Sequence, residues 1–319
     1  MLFERQVARK PDLYPWTKDF KLAMWNNPWH AGKFTFESDI VDFKLKLTPA
    51  ERQMVTRALS ALAQIEVAVK TFWGRLGDHL PHPSIAGLGT VMAGIEEIHN
   101  DAYEKLLEKL DMEDVFIENL KVPEVAGRVA YLNKHNGKVY GDDRKQYIYS
   151  LILFTLFVEN VSLFSQFYII LNLNRRGLFR DASQQVKYTR NEELLHAQAG
   201  IKIINTLRAE YPELFDTDLE DRINMACVDA LGAEMRLIEW MVGDYEGPDL
   251  NASILKTYVA DRFNESLEAI GYKPIFDVDQ AEKAQTFWMT VGLLAPPKVD
   301  FLNSHSVGYS HGAPEDDDF

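Results

Sequence analysis

From Tyr147 to Leu173 the chain reads YIYSLILFTLFVENVSLFSQFYIILNL, apolar on nearly every side of a helix. That length approaches what a bilayer requires of a spanning helix. Glu159 and Asn160 sit near its middle, and hydroxyl and amide residues are scattered through it. A helix apolar almost all round is equally at home at the centre of a large bundle, and that is the expectation here, with no membrane partner. Glu159 then becomes a buried carboxylate, costly to hold unless something pairs with it.

The rest of the pattern is also helical. Thr48-Pro49-Ala50-Glu51 places a threonine N-cap, a proline at the first helical position and a glutamate at the third, a capping-box start. It predicts a helix from Pro49 to Gly74 or Gly77. Ser84 is the expected cap of the next helix, which runs to Leu110. Pro123 opens a shorter one that ends before the Asn136-Gly137 turn. Residues 142–173 form the long apolar helix, closed by Asn174 to Gly177, and residues 180–210 form the next, ended by Pro212. Two more are expected at 218–243 and 251–270, with no strand run and no short internal repeat. Beyond Pro296-Pro297 the chain turns polar, glycine-containing and finally acidic. A mobile tail over 297–319 is expected after a helical domain at 1–296.

Composition narrows the possible functions. One large helical bundle can absorb 319 residues, and 46% apolar with 12% aromatic residues supply its core. A formal charge of −14 argues against a nucleic-acid surface, because binding phosphates needs a basic face. The single cysteine, Cys227, excludes an intramolecular disulfide, a four-cysteine metal site and a dithiol redox pair within this chain. The opening MLFERQVARKPDLYPW has no apolar core of signal-peptide length, so a reducing, cytoplasmic location is expected.

Two Glu-x-x-His motifs carry the candidate chemistry: Glu96-Glu97-Ile98-His99 and Glu193-Leu194-Leu195-His196. Residues three apart share a helix face and can reach one ion. Each motif follows a helix with a glutamate among apolar neighbours, Glu66 in the first case and Glu159 in the second. The order E, ExxH, E, ExxH over four helices is the ligand template of carboxylate-bridged di-iron and di-manganese bundles. Carboxylates can bridge two cations, imidazole suits iron and manganese, and four carboxylates offset two divalent ions. The competing reading treats the glutamates as surface charges and the histidines as satisfied core residues.

On these residues the chain resembles the small, radical-generating subunit of class I ribonucleotide reductases. The likeness covers nearly its whole length. It implies an all-α, ferritin-like helical bundle with additional helices, and carries the ligand roles onto Glu66, Glu96, His99, Glu159, Glu193 and His196. Tyr103, four residues after His99, stands where the family places its radical tyrosine. Trp29 resembles the family's electron-transfer tryptophan, and Glu192 an acidic residue that orients a metal-bound histidine. The tail ending Glu315-Asp316-Asp317-Asp318-Phe319 is similar to tails that dock on the large catalytic subunit, with Tyr309 as the relay tyrosine. A homodimer is implied as well. Lacking a thiol set and a glycine-rich phosphate loop, this chain would supply the oxidising equivalent while a separate large subunit reduces the ribonucleotide.

Glutamate at the first ligand position, Glu66, departs from the commoner aspartate and resembles manganese-dependent subclasses. With Tyr103 present, the likeness is greatest to the dimanganese subclass, in which the oxidised metal pair stores the radical equivalent and Tyr103 is a bystander. Manganese–iron and iron–iron pairs remain open, as does superoxide or dioxygen as the activating oxidant. Lys70, one turn after Glu66, either brings its ammonium to the cluster and favours an anionic oxidant or is a solvated surface lysine. The alternatives are a di-metal ligand-binding oxidase or oxygenase on the same bundle, a metal-storage protein, and a purely structural helical protein.

Overall fold

The computed structural model describes residues 1–135 and 143–294, with side chains throughout except at 66–68, 131–135 and 290–294. Thirteen α-helices occur among the described residues, and no strand beyond one isolated bridge, Gly247 to Leu250. A first compact unit covers Met1–Thr286 and a second Phe287–Phe319.

The opening helices α1 (Thr17–Trp25) and α2 (Glu37–Val41) come before the first one legible in the sequence. α2 continues into a π-helical turn, Asp42–Lys46. α3 (Pro49–Gly74) starts as its capping box predicts: Thr48 Oγ1 accepts from the Glu51 amide at 3.3 Å, and Glu51 Oε2 accepts from the Thr48 amide at 2.8 Å. A single turn, α4 (Leu76–His79), leads to α5 (Pro83–Lys109).

The cap of α5 differs from the expectation at Ser84. His82 Nδ1 accepts from the Ser84 amide at 3.2 Å, and the Ser84 hydroxyl donates instead to Asp12 at 3.2 Å. Pro83 explains the shift, because proline fits the first helical position and so puts the cap at His82, two residues before Ser84. After α6 (Glu113–Asn119) and α7 (Pro123–His135), the apolar run departs from prediction again. It is not one α-helix. α8 (Arg144–Leu153) passes into a π-helical segment, Phe154–Ser162, and then into α9 (Phe164–Arg175).

Widening a helix to π register frees carbonyls that need other donors. Here they have them: Ser162 Oγ donates to Phe157 O at 2.8 Å, Arg128 Nη2 to Ser162 O at 3.3 Å, and Arg262 Nε to Asn160 O at 2.6 Å. The most apolar 18-residue window of Arg144–Arg175 is 89% buried in protein, as a core helix requires.

α10 (Arg180–Glu210) packs against the π segment, α9 and α8. Its N-terminus is capped from a distance. Asp39 Oδ2 accepts from the Ala182 amide at 2.6 Å, and Asp42 Oδ2 from the Phe179 amide at 2.9 Å, two anions at the positive end of the helix. α11 (Thr217–Val242) is capped by Asp216 and α12 (Ala252–Ala269) by Asn251. α13 (Gln280–Leu294) has no counterpart in the sequence reading. The most extensive packing is α3 on α5, and together with the π segment and α10 they enclose the candidate centre.

Candidate metal centre

Helical period places Glu96 and His99 on one inward face of α5, and Glu193 and His196 on one face of α10. Glu159 projects from the middle of the π segment. These five side chains are 0% exposed. Ligand atoms of Glu96, Glu159, Glu193 and His196 all lie within 4.8 Å of one another. His99 joins them: its Nδ1 is 2.9 Å from Glu193 Oε1 and 3.1 Å from Glu96 Oε2. His196 Nδ1 is 2.6 Å from Glu96 Oε1 and 3.3 Å from Glu193 Oε2. Glu66 occupies α3, but its side chain lies outside those described.

A hydrogen-bonded chain leads away from this cluster. His99 Nε2 lies 2.8 Å from Glu192 Oε2, and the Trp29 indole nitrogen donates to the same oxygen at 2.8 Å. A carboxylate accepts, so Nε2 carries a proton, which leaves Nδ1, turned toward the carboxylates, as the nitrogen a bound cation would take in place of a proton. Trp29 is 5% exposed, its ring centroid 6.0 Å from that of His99, and it stacks on Tyr188 at 5.6 Å. Tyr103 is buried one turn beyond His99 on α5.

The electrostatics are those of a site short of positive charge. Burial, reinforced by the neighbouring Glu193, pushes the Glu159 carboxyl well above the usual range. Burial would raise Glu193 too, but the His99 charge and hydrogen bonds from Glu159, His196 and His99 outweigh it and hold Glu193 low. Burial would lower His196, yet Glu96 and Glu193 lift it to about 9. A bound cation would take over the balancing role of that imidazolium proton. Oxygen donors with imidazole nitrogens suit iron or manganese, and here buried carboxylates converge with the inward Nδ1 atoms of His99 and His196. The residues present therefore fit a transition-metal centre.

Not every expected residue joins the site. The Lys70 side chain pairs with Glu97, and at 37% and 56% exposure the pair lies at the surface rather than at the buried cluster. Tyr309 and the acidic tail lie outside the described residues. Trp73 was missed by the sequence reading. Fully buried, its indole nitrogen donates to Glu159 Oε1. Its place two helical turns after Glu66 was the available signal. Tyr188, stacked on Trp29, had none.

Comparison with known proteins agrees with this geometry. The family described as "Ribonucleotide reductase, small chain" matches residues 8–284. The ribonucleoside-diphosphate reductase subunit beta of Treponema pallidum is 20% identical, covering 96% of this chain and 88% of its own length. Among solved structures, a class I ribonucleotide reductase from Bacillus halodurans superposes with a TM-score of 0.79 at 20% identity, over 87% of this chain and 99% of that one. The dimanganese(II) NrdF of Streptococcus sanguinis gives 0.76 at 13% identity, over 91% and 100%. An R2-like ligand-binding oxidase with a Mn/Fe cofactor gives 0.70 at 17%, over 83% and 96%. The fold is thus the ferritin-like bundle with additional helices.

Proposed function

The chain belongs to the ribonucleotide reductase small-chain family, and on that premise we propose how its buried cluster serves the reaction. Its activity is that of the radical-generating small subunit of ribonucleoside-diphosphate reductase, exercised with a large subunit and as a dimer. In our reading Glu66, Glu96, His99, Glu159, Glu193 and His196 hold two transition-metal ions. One observation carries this: three carboxylates and two imidazoles meet in a fully buried space with both Nδ1 atoms turned inward. Once bound, the metal pair supplies a one-electron oxidising equivalent to the partner.

The protein's own groups hold and connect that pair. Glu192 fixes the His99 tautomer and couples it to Trp29, whose ring beside His99 begins the route outward. Trp73 holds one oxygen of Glu159, limiting how that carboxylate can swing. Tyr309 and the acidic tail complete the route to the large subunit. Glutamate at position 66 supports a manganese pair that stores the oxidising equivalent itself, with Tyr103 as a bystander. The Lys70–Glu97 pair lends no support to a Lys70-guided anionic oxidant. The ligand-binding oxidase shares only the fold, whereas the curated relatives carry the reductase name.

Metal analysis joined to electron paramagnetic resonance tests the proposal. We expect two manganese ions per chain and, after oxidation, a coupled two-manganese signal without a tyrosyl radical. A tyrosyl signal that Tyr103→Phe abolishes would refute metal storage. Absence of metal at Glu96→Ala and in the unaltered chain alike would refute the centre.

A further inference from the structure

A second site lies among the N-terminal residues, α1 and the first turns of α5, and shares no residue with the metal centre. The chain carries a net charge of −14, yet Arg9, Lys10, Lys18 and Lys21 gather here around a cavity of about 240 Å³. Asp12, the one carboxylate on its wall, is already engaged by Lys18 at 2.5 Å and by the Ser84 hydroxyl at 3.2 Å. Lys21 is 7% exposed and has no hydrogen-bond or ion-pair partner among the described residues. Its stem is packed into the protein while its ammonium lines the cavity unpaired, and an anion there would pair with it.

Backbone geometry focuses the charge. Gly87, in the second turn of α5, presents no side chain. A Cβ built there would lie 3.3 Å from Arg9 Nη2 and 3.9 Å from Lys21 Nζ, so both cations converge over the same bare stretch of helix. The N-terminal end of this 27-residue helix adds partial positive charge. Burial, then the neighbouring Arg9, lowers the Lys21 pKa, the penalty expected of a cation facing other cations. Trp25, 60% exposed as a residue, lines the same cavity. An exposed indole beside a phosphate-sized cationic cavity is a platform on which a heteroaromatic ring stacks.

We infer that this pocket binds a nucleoside phosphate, with its phosphates on Arg9 and Lys21 and its base on Trp25. An anion alone would use the cations and leave the indole idle, whereas a nucleotide uses both. Bound there, it is a ligand and not a substrate, because no group in the pocket is arranged to act on a ribose.

Calorimetric titration of the full chain with ATP, with dATP and with inorganic tripolyphosphate, all without divalent metal, tests the inference. Saturable nucleotide binding is expected, tighter than tripolyphosphate and weakened at least about tenfold by Lys21→Met. Trp25→Ala should erase the advantage of nucleotide over tripolyphosphate while leaving tripolyphosphate affinity unchanged. Arg9→Ala, within the exposed stretch 7–11, should also weaken both ligands without changing the thermal midpoint. Equal affinity for tripolyphosphate and nucleotide in the unaltered chain would overturn the nucleoside assignment. Nucleotide affinity unchanged in both Lys21→Met and Arg9→Ala would overturn the site itself.

Discussion

Glu234→Leu is the sharpest test of how the bundle holds its π segment in register. Glu234, on α11, is 5% exposed and faces Arg128, on α7, at 3.4 Å. It also accepts from Ser162 Oγ at 2.8 Å, and Ser162 closes the π turn that carries Glu159. Removing the carboxylate strands a guanidinium that is itself 8% exposed. Breaking one partner of a buried ion pair costs about 3–5 kcal/mol. Two carbonyls still accept from Arg128, Ala61 O at 3.0 Å and Ser162 O at 3.3 Å, which puts the expected loss at the low end, about 3 kcal/mol. Glu234→Gln keeps one oxygen, which can accept from both Ser162 Oγ and Arg128 Nη2 as Oε1 does, and should cost about 1–2 kcal/mol.

The double variant Arg128→Met/Glu234→Leu removes both charges and should be more stable than Glu234→Leu alone, with a coupling energy of about 2 kcal/mol or more. Urea denaturation of the metal-free protein followed by circular dichroism measures all of these. Metal stoichiometry of the same variants reports whether Glu159 stays aimed, and Glu234→Leu should lose metal where Glu234→Gln keeps it. A loss below about 1 kcal/mol for Glu234→Leu, or strict additivity in the double variant, would refute the reasoning.

Two further outcomes follow from side chains near the centre and at the α5 cap. Glu192→Ala removes the one acceptor shared by His99 and Trp29, so metal affinity should fall about 10–100-fold, measured by competition with a chelator. Unchanged affinity would mean the His99 tautomer is fixed by something else. His82 is held neutral in the folded chain: its Nδ1 accepts from the Ser84 amide, its Nε2 faces Gln6 Oε1 at 3.1 Å, and burial lowers its pKa below 6.5. Because the folded pKa is depressed, its contribution is fully present above pH 6.5 and is lost as pH falls from there through the folded value. His82→Gln should flatten the fall in thermal midpoint between about pH 7 and pH 5, and parallel profiles for the two proteins would contradict the assignment.

What the sequence determines here is local. Helical period alone puts Glu96 with His99 and Glu193 with His196, because residues three apart share a face wherever the helix ends up. The capping box at Thr48 is equally local, and it appears as read. Glu159 stands out as a carboxylate within an apolar run, and burial follows from its neighbours. The tertiary structure decides whatever depends on groups distant in the chain. The apolar run breaks into π register because Arg128 from α7 and Arg262 from α12 supply donors to Ser162 and Asn160, and no short window contains them. α10 is capped by Asp39 and Asp42, more than 130 residues earlier, so its start carries no cap of its own. Lys70 shows the limit of spacing arguments. One turn from Glu66, it has a four-carbon stem long enough to carry its charge outward to Glu97, where hydration offsets the cost of pairing.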